Sequence, residues 1–296
     1  MKRIADPLVS CVNADRLHYS TGELLGADDF RDEQTYHRRQ LARALLHLQG
    51  SGVIAGLRVL HRHRPGQNGA EDEVELEVEP GLALDHAGRL IEVPREACLR
   101  LRRWFAYIAA RTPSSTELDA GDLRLAWRAD GGVAAGGVVV ADIFLSFFEC
   151  PRGYTPAFAS GPFDALDASQ PSRVRDGYEL SLVLRTEADG DLPVASDPWT
   201  AISGATAADR LAAAEQAAFD LWQQSAQPAP ENAAGVDPMA VLLARLRIPA
   251  QQSPSAAEAP IPDWSAAVWP DDHAHLDNRV RHVLLPPAAL RRVMAP

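Results

Sequence analysis

The fold is decided by the stretch V-V-V-A-D-I-F-L-S-F-F, residues 138–148. Its residues are β-branched, aliphatic or aromatic almost throughout, and this composition favours an extended strand. The run is shorter than the roughly 20 apolar residues that a membrane-spanning helix needs. We therefore expect a strand in the protein interior.

Shorter strands precede this run. Residues 73–78 alternate between glutamate and an apolar residue, which predicts a strand with one face in water. The turn dipeptides Pro80-Gly81 and Ala87-Gly88 bound the next two strands, residues 82–85 and 89–93. Together they indicate an antiparallel meander.

Two further segments follow the apolar run. Residues 178–185, Y-E-L-S-L-V-L-R, are expected to complete the sheet. The intervening residues 151–171 contain proline and glycine and predict a long surface loop.

The clearest helical pattern lies between residues 26 and 49. Acidic residues occupy its first turns and basic residues follow, which opposes the helix dipole favourably at both ends. Gly50 and Gly52 end the helix. One helical face is formed by Phe30, Gln34, His37, Leu41, Ala44, Leu45 and Leu48.

The remaining pattern is mainly helical and proline-rich. Residues 101–110 are predicted to form a short helix or an irregular stretch, and helices are predicted at 206–224 and 239–247. Pro/Ala-rich linkers are predicted at 225–234 and 249–262, and an edge strand at 279–285 before a short helix that reaches residue 293. We predict an α+β fold in which the long N-terminal helix packs on an antiparallel sheet. Residues 1–190 form the main domain, and residues 191–296 form a C-terminal helical and linker extension.

Composition narrows the function classes. The formal net charge of −11 disfavours binding to the phosphate backbone, so nucleic acid is not expected as a partner. Cys11, Cys98 and Cys150 lie far apart, which suggests neither a disulfide framework nor a zinc site and fits a reducing cytoplasm. No stretch predicts insertion into a membrane.

Local motifs for catalysis are missing from the sequence, including G-x-S-x-G, H-E-x-x-H and the P-loop. The glycines of residues 50–56 follow a helix and precede a strand, the reverse of the order that directs helix amides at a phosphate. The adjacent acids Asp28 and Asp29 point about 100° apart on a helix and fit capping. We therefore predict no catalytic residues and no cofactor.

Two histidine pairs have the spacing of neighbours on one strand face. They are His61 with His63, and His273 with His275 beside Asp271-Asp272. Neither pair has a third ligand at a matching spacing, and arginines flank the first pair. We predict exposed turn histidines and no bound metal.

Residues 18–39 resemble the pattern Y-x-x-G-x-L-L-x-A-x-D-F-x-x-E-Q-x-Y-H-R-R of a largely uncharacterised family encoded with contractile injection systems and phage-like tails. The resemblance continues through residues 52–57, 80–85, 88–94 and 171–180, and so covers about the first 185 residues; residues 278–290 match less clearly. It implies a baseplate, fibre-attachment or assembly-accessory component whose partners are other protein subunits. Ala55 departs from the family, where cysteine is common.

The motif also supplies the candidate site. Glu33, Tyr36 and Arg39 recur at intervals of three on a helix side that the apolar stripe leaves free. They are expected to meet another subunit, with packing against the protein's own sheet as the alternative. The candidate interface residues are Tyr19, Phe30, Glu33, Tyr36, Arg38 and Arg39.

Two rival functions remain open. A sugar-binding or host-recognition module is suggested by Trp264 and Trp269, which look exposed in the sequence. A hydrolase would assemble its site from distant residues. The preferred hypothesis is a structural or adaptor protein, cytoplasmic or part of a particle released from the cell, with self-association left open.

Overall fold

The computed structural model describes residues 6–10, 15–66, 72–111, 118–130, 136–156, 169–195, 202–204, 206–224, 229–232, 237–255, 258–270, 273–286, 289 and 292. The helices are α1 (Pro7–Ser10), α2 (Ala27–Gln49), α3 (Leu101–Ala109), α4 (Ala120–Leu125) and α5 (Ala207–Gln224). The strands are β1 (Gly52–Gly56), β2 (Val59–Arg64), β3 (Glu73–Val78), β4 (Gly81–Leu84), β5 (Leu90–Val93), β6 (Ala97–Arg100), β7 (Trp127–Ala129), β8 (Gly137–Pro156), β9 (Ser169–Leu184), β10 (Val241–Gln251), β11 (Ile261–Pro262) and β12 (Leu276–Asp277). The α+β class is confirmed.

The predicted interior strand is the centre of the largest sheet. β8 pairs antiparallel with β10 along one edge, and with β7 and β9 along the other. Its residues from Gly137 to Leu145 are all buried. Strand β9 confirms the strand expected at residues 178–185, although it begins earlier, at Ser169. The loop expected at 151–171 is wrong at both ends, because β8 continues to Pro156 and β9 begins at Ser169. Residues 157–168 lie outside the described residues.

The expected meander is wrong in its pairing. The β4–β5 hairpin is present, but β3 pairs with β2 and β6 while β4 pairs with β1. The change of sheet occurs at Pro80-Gly81, where the Leu57 amide donates to the Pro80 carbonyl at 3.3 Å. A side chain at position 81 would collide with the Ala55 carbonyl. This close approach directs β4 onto β1 instead of back onto β3.

The prediction that the glutamates of β3 lie on a solvent-exposed face is wrong. Glu75 and Glu77 are buried because arginines of the flanking strands lie over them. Arg62 contacts Glu77 at 2.8 Å, and Arg64 contacts Glu75. A layer of ion pairs therefore covers this sheet.

The C-terminal part contains a long strand where a helix was predicted. The helix predicted at residues 239–247 is wrong, because Val241–Gln251 form β10, paired with β8 from Val138 to Leu145. Part of the predicted 249–262 linker is also paired, since Pro262 of β11 lies opposite Ala250. Residues 241–251, 261–262 and 276–277 therefore belong to the same sheet as residues 137–156.

A buried ion cluster fixes the register of this sheet. Asp142 of β8 accepts from Arg185 Nε at 2.6 Å and from Arg245 Nε at 2.8 Å. Asp142 and Arg185 have no exposed side-chain surface, and Arg245 is nearly buried. Arg185 also donates to the Glu231 carbonyl, which gives the Arg185 guanidinium a further acceptor.

Other predictions have mixed outcomes. The helices predicted at 101–110 and 206–224 are confirmed as α3 and α5. Thr206 and Asp209 form the expected capping box, with the Asp209 amide donating to Thr206 Oγ1 at 3.1 Å. In place of the edge strand at 279–285, Asn278–Val280 form a 3₁₀ turn and Val283 makes a parallel bridge to Val53. The terminal helix and most of the linker at 225–234 lie outside the described residues.

The hydrophobic core lies where the three sheets meet. Its buried residues come from every sheet, from α3 and α4, and from the segment that carries Trp269. The long helix α2 packs on the outside of this body, as expected. Among the described helices, none combines the length and apolar character required to traverse a bilayer.

Candidate interaction site around the first long helix

The apolar stripe of α2 faces solvent. Phe30 is 50% exposed and Leu48 is 79% exposed, whereas Thr35 and Ala42 are the buried residues of the helix. Ala42 lies against the β4–β5 turn, where Gly88 has φ +79° and a side chain would collide with the Ala42 carbonyl. The helix therefore packs on the body through small residues, while most of its predicted apolar face stays exposed.

Arg38 links α2 to the body through ion pairs. Its guanidinium lies 3.3 Å from Asp6 and 3.0 Å from Glu149 of β8. Arg89 then contacts the same Asp6 at 3.0 Å and Asp85 at 2.7 Å. The network joins the N-terminal turn, α2, the β4–β5 hairpin and β8, so Arg38 has an intramolecular role.

A cavity of about 160 Å³ lies beside this network and is lined partly by Leu8, Leu41 and Phe147. Arg89 lies over the Phe147 ring, 4.5 Å from its centroid. Burial, and then the nearby Asp6 charge, raises the pKa of Glu149, while Arg38 opposes that rise. The carboxylates beside the cavity form ion pairs with arginine guanidinium groups, which favours a structural role over a catalytic one.

The other motif residues lie along the N-terminal half of α2. Tyr19 donates a 2.5 Å hydrogen bond from its hydroxyl to Glu33, and that bond raises the pKa of Tyr19. Tyr36 is half-buried with its ring edge-on to His37, and Arg39 is also half-buried. The structure thus brings Tyr19 and Glu33 together, places Arg38 in the ion network and leaves Phe30 exposed.

The two histidine pairs, separate in sequence, converge in space. His61 Nδ1 lies 3.2 Å from His273 Nδ1, and the His61 ring stands edge-on to Trp269. His61 is buried, so the expectation of exposed histidines is wrong for this residue; its Nε2 has no hydrogen-bond partner among the described residues. His273 adopts φ +56°, an unusual backbone conformation outside glycine. Asp271 and Asp272 lie outside the described residues.

This burial predicts a pH dependence of stability. Burial, and then the neighbouring His273, lowers the pKa of His61 below its ordinary value of 6.5. The unfolded chain therefore takes up this proton first, so stability falls as the pH decreases below 6.5 towards the folded pKa. We expect the urea midpoint to be lower at about pH 5.5 than at about pH 7.5, and the difference to shrink in His61→Phe.

The matched control is His18→Phe, because His18 is exposed and should leave the pH dependence unchanged. An equal pH dependence in the wild type and in His61→Phe would show that His61 does not contribute to it.

The tryptophans are not the surface pair expected from sequence. Trp269 is 2% exposed, stacks on Trp264 at 6.0 Å and donates from Nε1 to the Asp263 carbonyl at 2.8 Å. Trp264 is half-buried and stands edge-on to Phe105. These rings are part of the core because residues 258–270 fold back over α3.

One group of side chains has metal-ligand spacing. Potential ligand atoms of Glu75, Glu77 and Cys98 lie within 4.8 Å of one another. Both carboxylates already face arginines, and burial, followed by the glutamate charges, raises the pKa of the Cys98 thiol. A cation would have to displace these guanidinium groups, so the cluster fits an ion-paired surface better than a metal centre.

Sequence reasoning missed the buried partners of Arg38, the convergence of the histidines and the exposure of the α2 stripe. The charge of Asp142 within an apolar run was a usable signal of a buried ion cluster. Comparison with known proteins found no family model that matches the chain and no matching curated protein.

Proposed function

We propose that this protein is a structural or adaptor component, without a catalytic centre of its own, of a phage-tail-like contractile injection particle. In this proposal it binds other protein subunits of a baseplate, a fibre attachment or an assembly intermediate. It is made in the cytoplasm and leaves the cell with the particle.

One observation carries the proposal: apolar side chains of the α2 stripe are exposed near both ends and in the middle of the helix. Phe30, Leu41 and Leu48 are each at least half exposed, although they lie on one face. Contiguous exposed apolar surface is typical of sites that bind other proteins. The stripe lies on the same helix as most of the motif that resembles the injection-system family. This shared location supports a role for the stripe and the motif together in binding other subunits.

In this proposal the motif residues position α2, whereas their spacing suggested that they contact another subunit. Tyr19 and Glu33 join the preceding segment to α2, and Arg38 joins α2 to β8. They are positioning residues, because their polar groups are used within the chain. Phe30 and the stripe behind it make the contact with the next subunit.

The C-terminal half of the stripe provides a direct test. We expect the double substitution Ala44→Glu with Leu48→Glu to reduce co-purification of particle subunits from native lysate by about tenfold or more. Both side chains are exposed, so the charges leave the fold intact but oppose burial in an interface. Quantitative mass spectrometry of a tagged pull-down is the measurement.

The matched control is Gln40→Glu with Gln49→Glu, which adds the same charge to exposed positions of α2 outside the stripe. It should recover the wild-type set of subunits. Equal recovery with the stripe variant, at an unchanged melting temperature, would rule the stripe out as the contact surface.

The sugar-binding alternative loses its structural basis at Trp269, since that ring is buried. The hydrolase alternative gains no support from the cavity at Arg38, where the neighbouring acids are held by arginines. These observations favour the adaptor proposal over the two alternatives.

A further inference from the structure

Strands β8 and β9 extend beyond the body as a two-stranded ribbon. We call Cys150–Pro156 with Ser169–Arg175 the β-arm; its strands pair from Cys150 opposite Arg175 to Pro156 opposite Ser169. The partner strand β10 reaches β8 only as far as Leu145. Residues 152–156 and 171–175 are exposed, including Tyr154 at 66%. Isolated two-stranded ribbons are marginally stable, which favours an arm that is completed by a neighbour.

One face of the β-arm carries a cluster of arginines. Arg152 lies directly opposite Arg173, while Cys150 opposite Arg175 and Tyr154 opposite Pro171 share the same face. Within the described part of the chain, none of the three arginines makes an ion pair. Like charges directly opposite each other destabilise a strand pair. An acidic surface laid over this face would remove that repulsion.

The acids of α2 cannot cover this face within the same molecule. Glu149, opposite Asp176, points to the other side of the ribbon, and Arg38 of α2 binds Glu149 at 3.0 Å. Helix α2 therefore lies on the side of the ribbon opposite to the arginines. The arginine face points away from α2.

A complementary surface lies at the N-terminal end of α2. We define the acidic patch as Glu23, Asp28 and Asp32 with the apolar residue Leu24. All four are exposed, Leu24 at 96%. The acids match the arginines in charge, and Leu24 offers an apolar surface for the Tyr154 ring. A net charge of −11 makes nucleic acid an unfavourable occupant of the arm.

We propose that the β-arm of one copy binds the acidic patch of a second copy, joining copies of this chain head to tail. Because the two surfaces differ, each copy has one of each to offer, and the assembly closes as a ring or continues as a chain. This inference goes beyond the particle proposal, since it concerns the purified protein alone.

Light scattering coupled to size-exclusion chromatography tests it on the full-length protein. We expect oligomers at about 50 mM salt that weaken towards about 500 mM, because exposed ion pairs are screened. Arg152→Glu with Arg173→Glu should raise the dissociation constant at least about tenfold, since it opposes acid to acid. Asp28→Lys with Asp32→Lys should do the same by opposing base to base.

A mixture of the two double variants supplies the decisive result. Each arm then meets a patch of opposite charge on the other variant, so oligomers should reappear only in the mixture. Thr155→Glu with Val174→Glu is the matched control, because it places acids on the other face of the β-arm. It should behave as the wild type.

A wild type that stays monomeric at low salt, or an arm variant that still associates fully, would overturn the proposal. So would failure of the mixed variants to associate while both remain folded by circular dichroism. None of these outcomes bears on capture of particle subunits by the α2 stripe, so the two proposals can fail separately.

Discussion

Asp142→Ala is expected to lower the free energy of unfolding by about 3–5 kcal/mol. The carboxylate is the shared acceptor of Arg185 and Arg245, and its removal leaves two guanidinium groups buried between β8, β9 and β10. Removing the partner of a buried charge is among the most destabilising changes to a protein core. Chemical denaturation followed by circular dichroism measures the loss.

Asp130→Ala is the control for this substitution. Asp130 contacts Arg247 at 3.4 Å on the surface of the same sheet, where the arginine side chain is 48% exposed. Surface pairs of this kind contribute up to about 1 kcal/mol. If the two substitutions had similar effects, the buried cluster would not be what fixes the sheet.

Trp269→Ala is expected to cost about 3–5 kcal/mol as well, by a different mechanism. The substitution opens a cavity between Trp264, His61 and His275, which all contact the indole ring. The Asp263 carbonyl also loses the indole donor. Thermal and chemical denaturation should both report the loss.

Tyr107→Ala controls for removal of an aromatic ring, since Tyr107 lies on the outer side of α3 and is exposed. It should change stability by no more than about 0.5 kcal/mol. A folded, equally stable Trp269→Ala protein that had lost binding to glycans would restore the sugar-binding interpretation.

How far the sequence predicts the fold depends on how local the determining contacts are. The strand at 138–148 and the helix ended by Gly50 follow from residues that are neighbours in sequence, and both are confirmed. The segment at 239–247 is mostly leucine, alanine and arginine, which favour helices in isolation. It is a strand because β8 offers it a pairing edge, and Arg245 is buried because Asp142 lies opposite.

The candidate site shows the same limit. The spacing of Glu33, Tyr36 and Arg39 correctly places them on one side of α2, but spacing does not say which side meets the body. That choice depends on the close approach of Gly88 to Ala42 and on the reach of Arg38 to Glu149. Both are contacts between distant parts of the chain, as is the meeting of His61 with His273.

The late position of β10 in the chain has a consequence for how the protein is made. Arg245 of β10 binds Asp142 of β8 across 103 residues. At a synthesis rate of about 5–20 residues per second, β8 leaves the ribosome several seconds before the strand that covers its edge. During that interval β8, the most apolar strand of the nascent chain, has unpaired backbone groups along one edge. Such groups promote aggregation, and chaperones act on chains that expose them. Biogenesis of this fold therefore depends on shielding one edge until β10 has been translated.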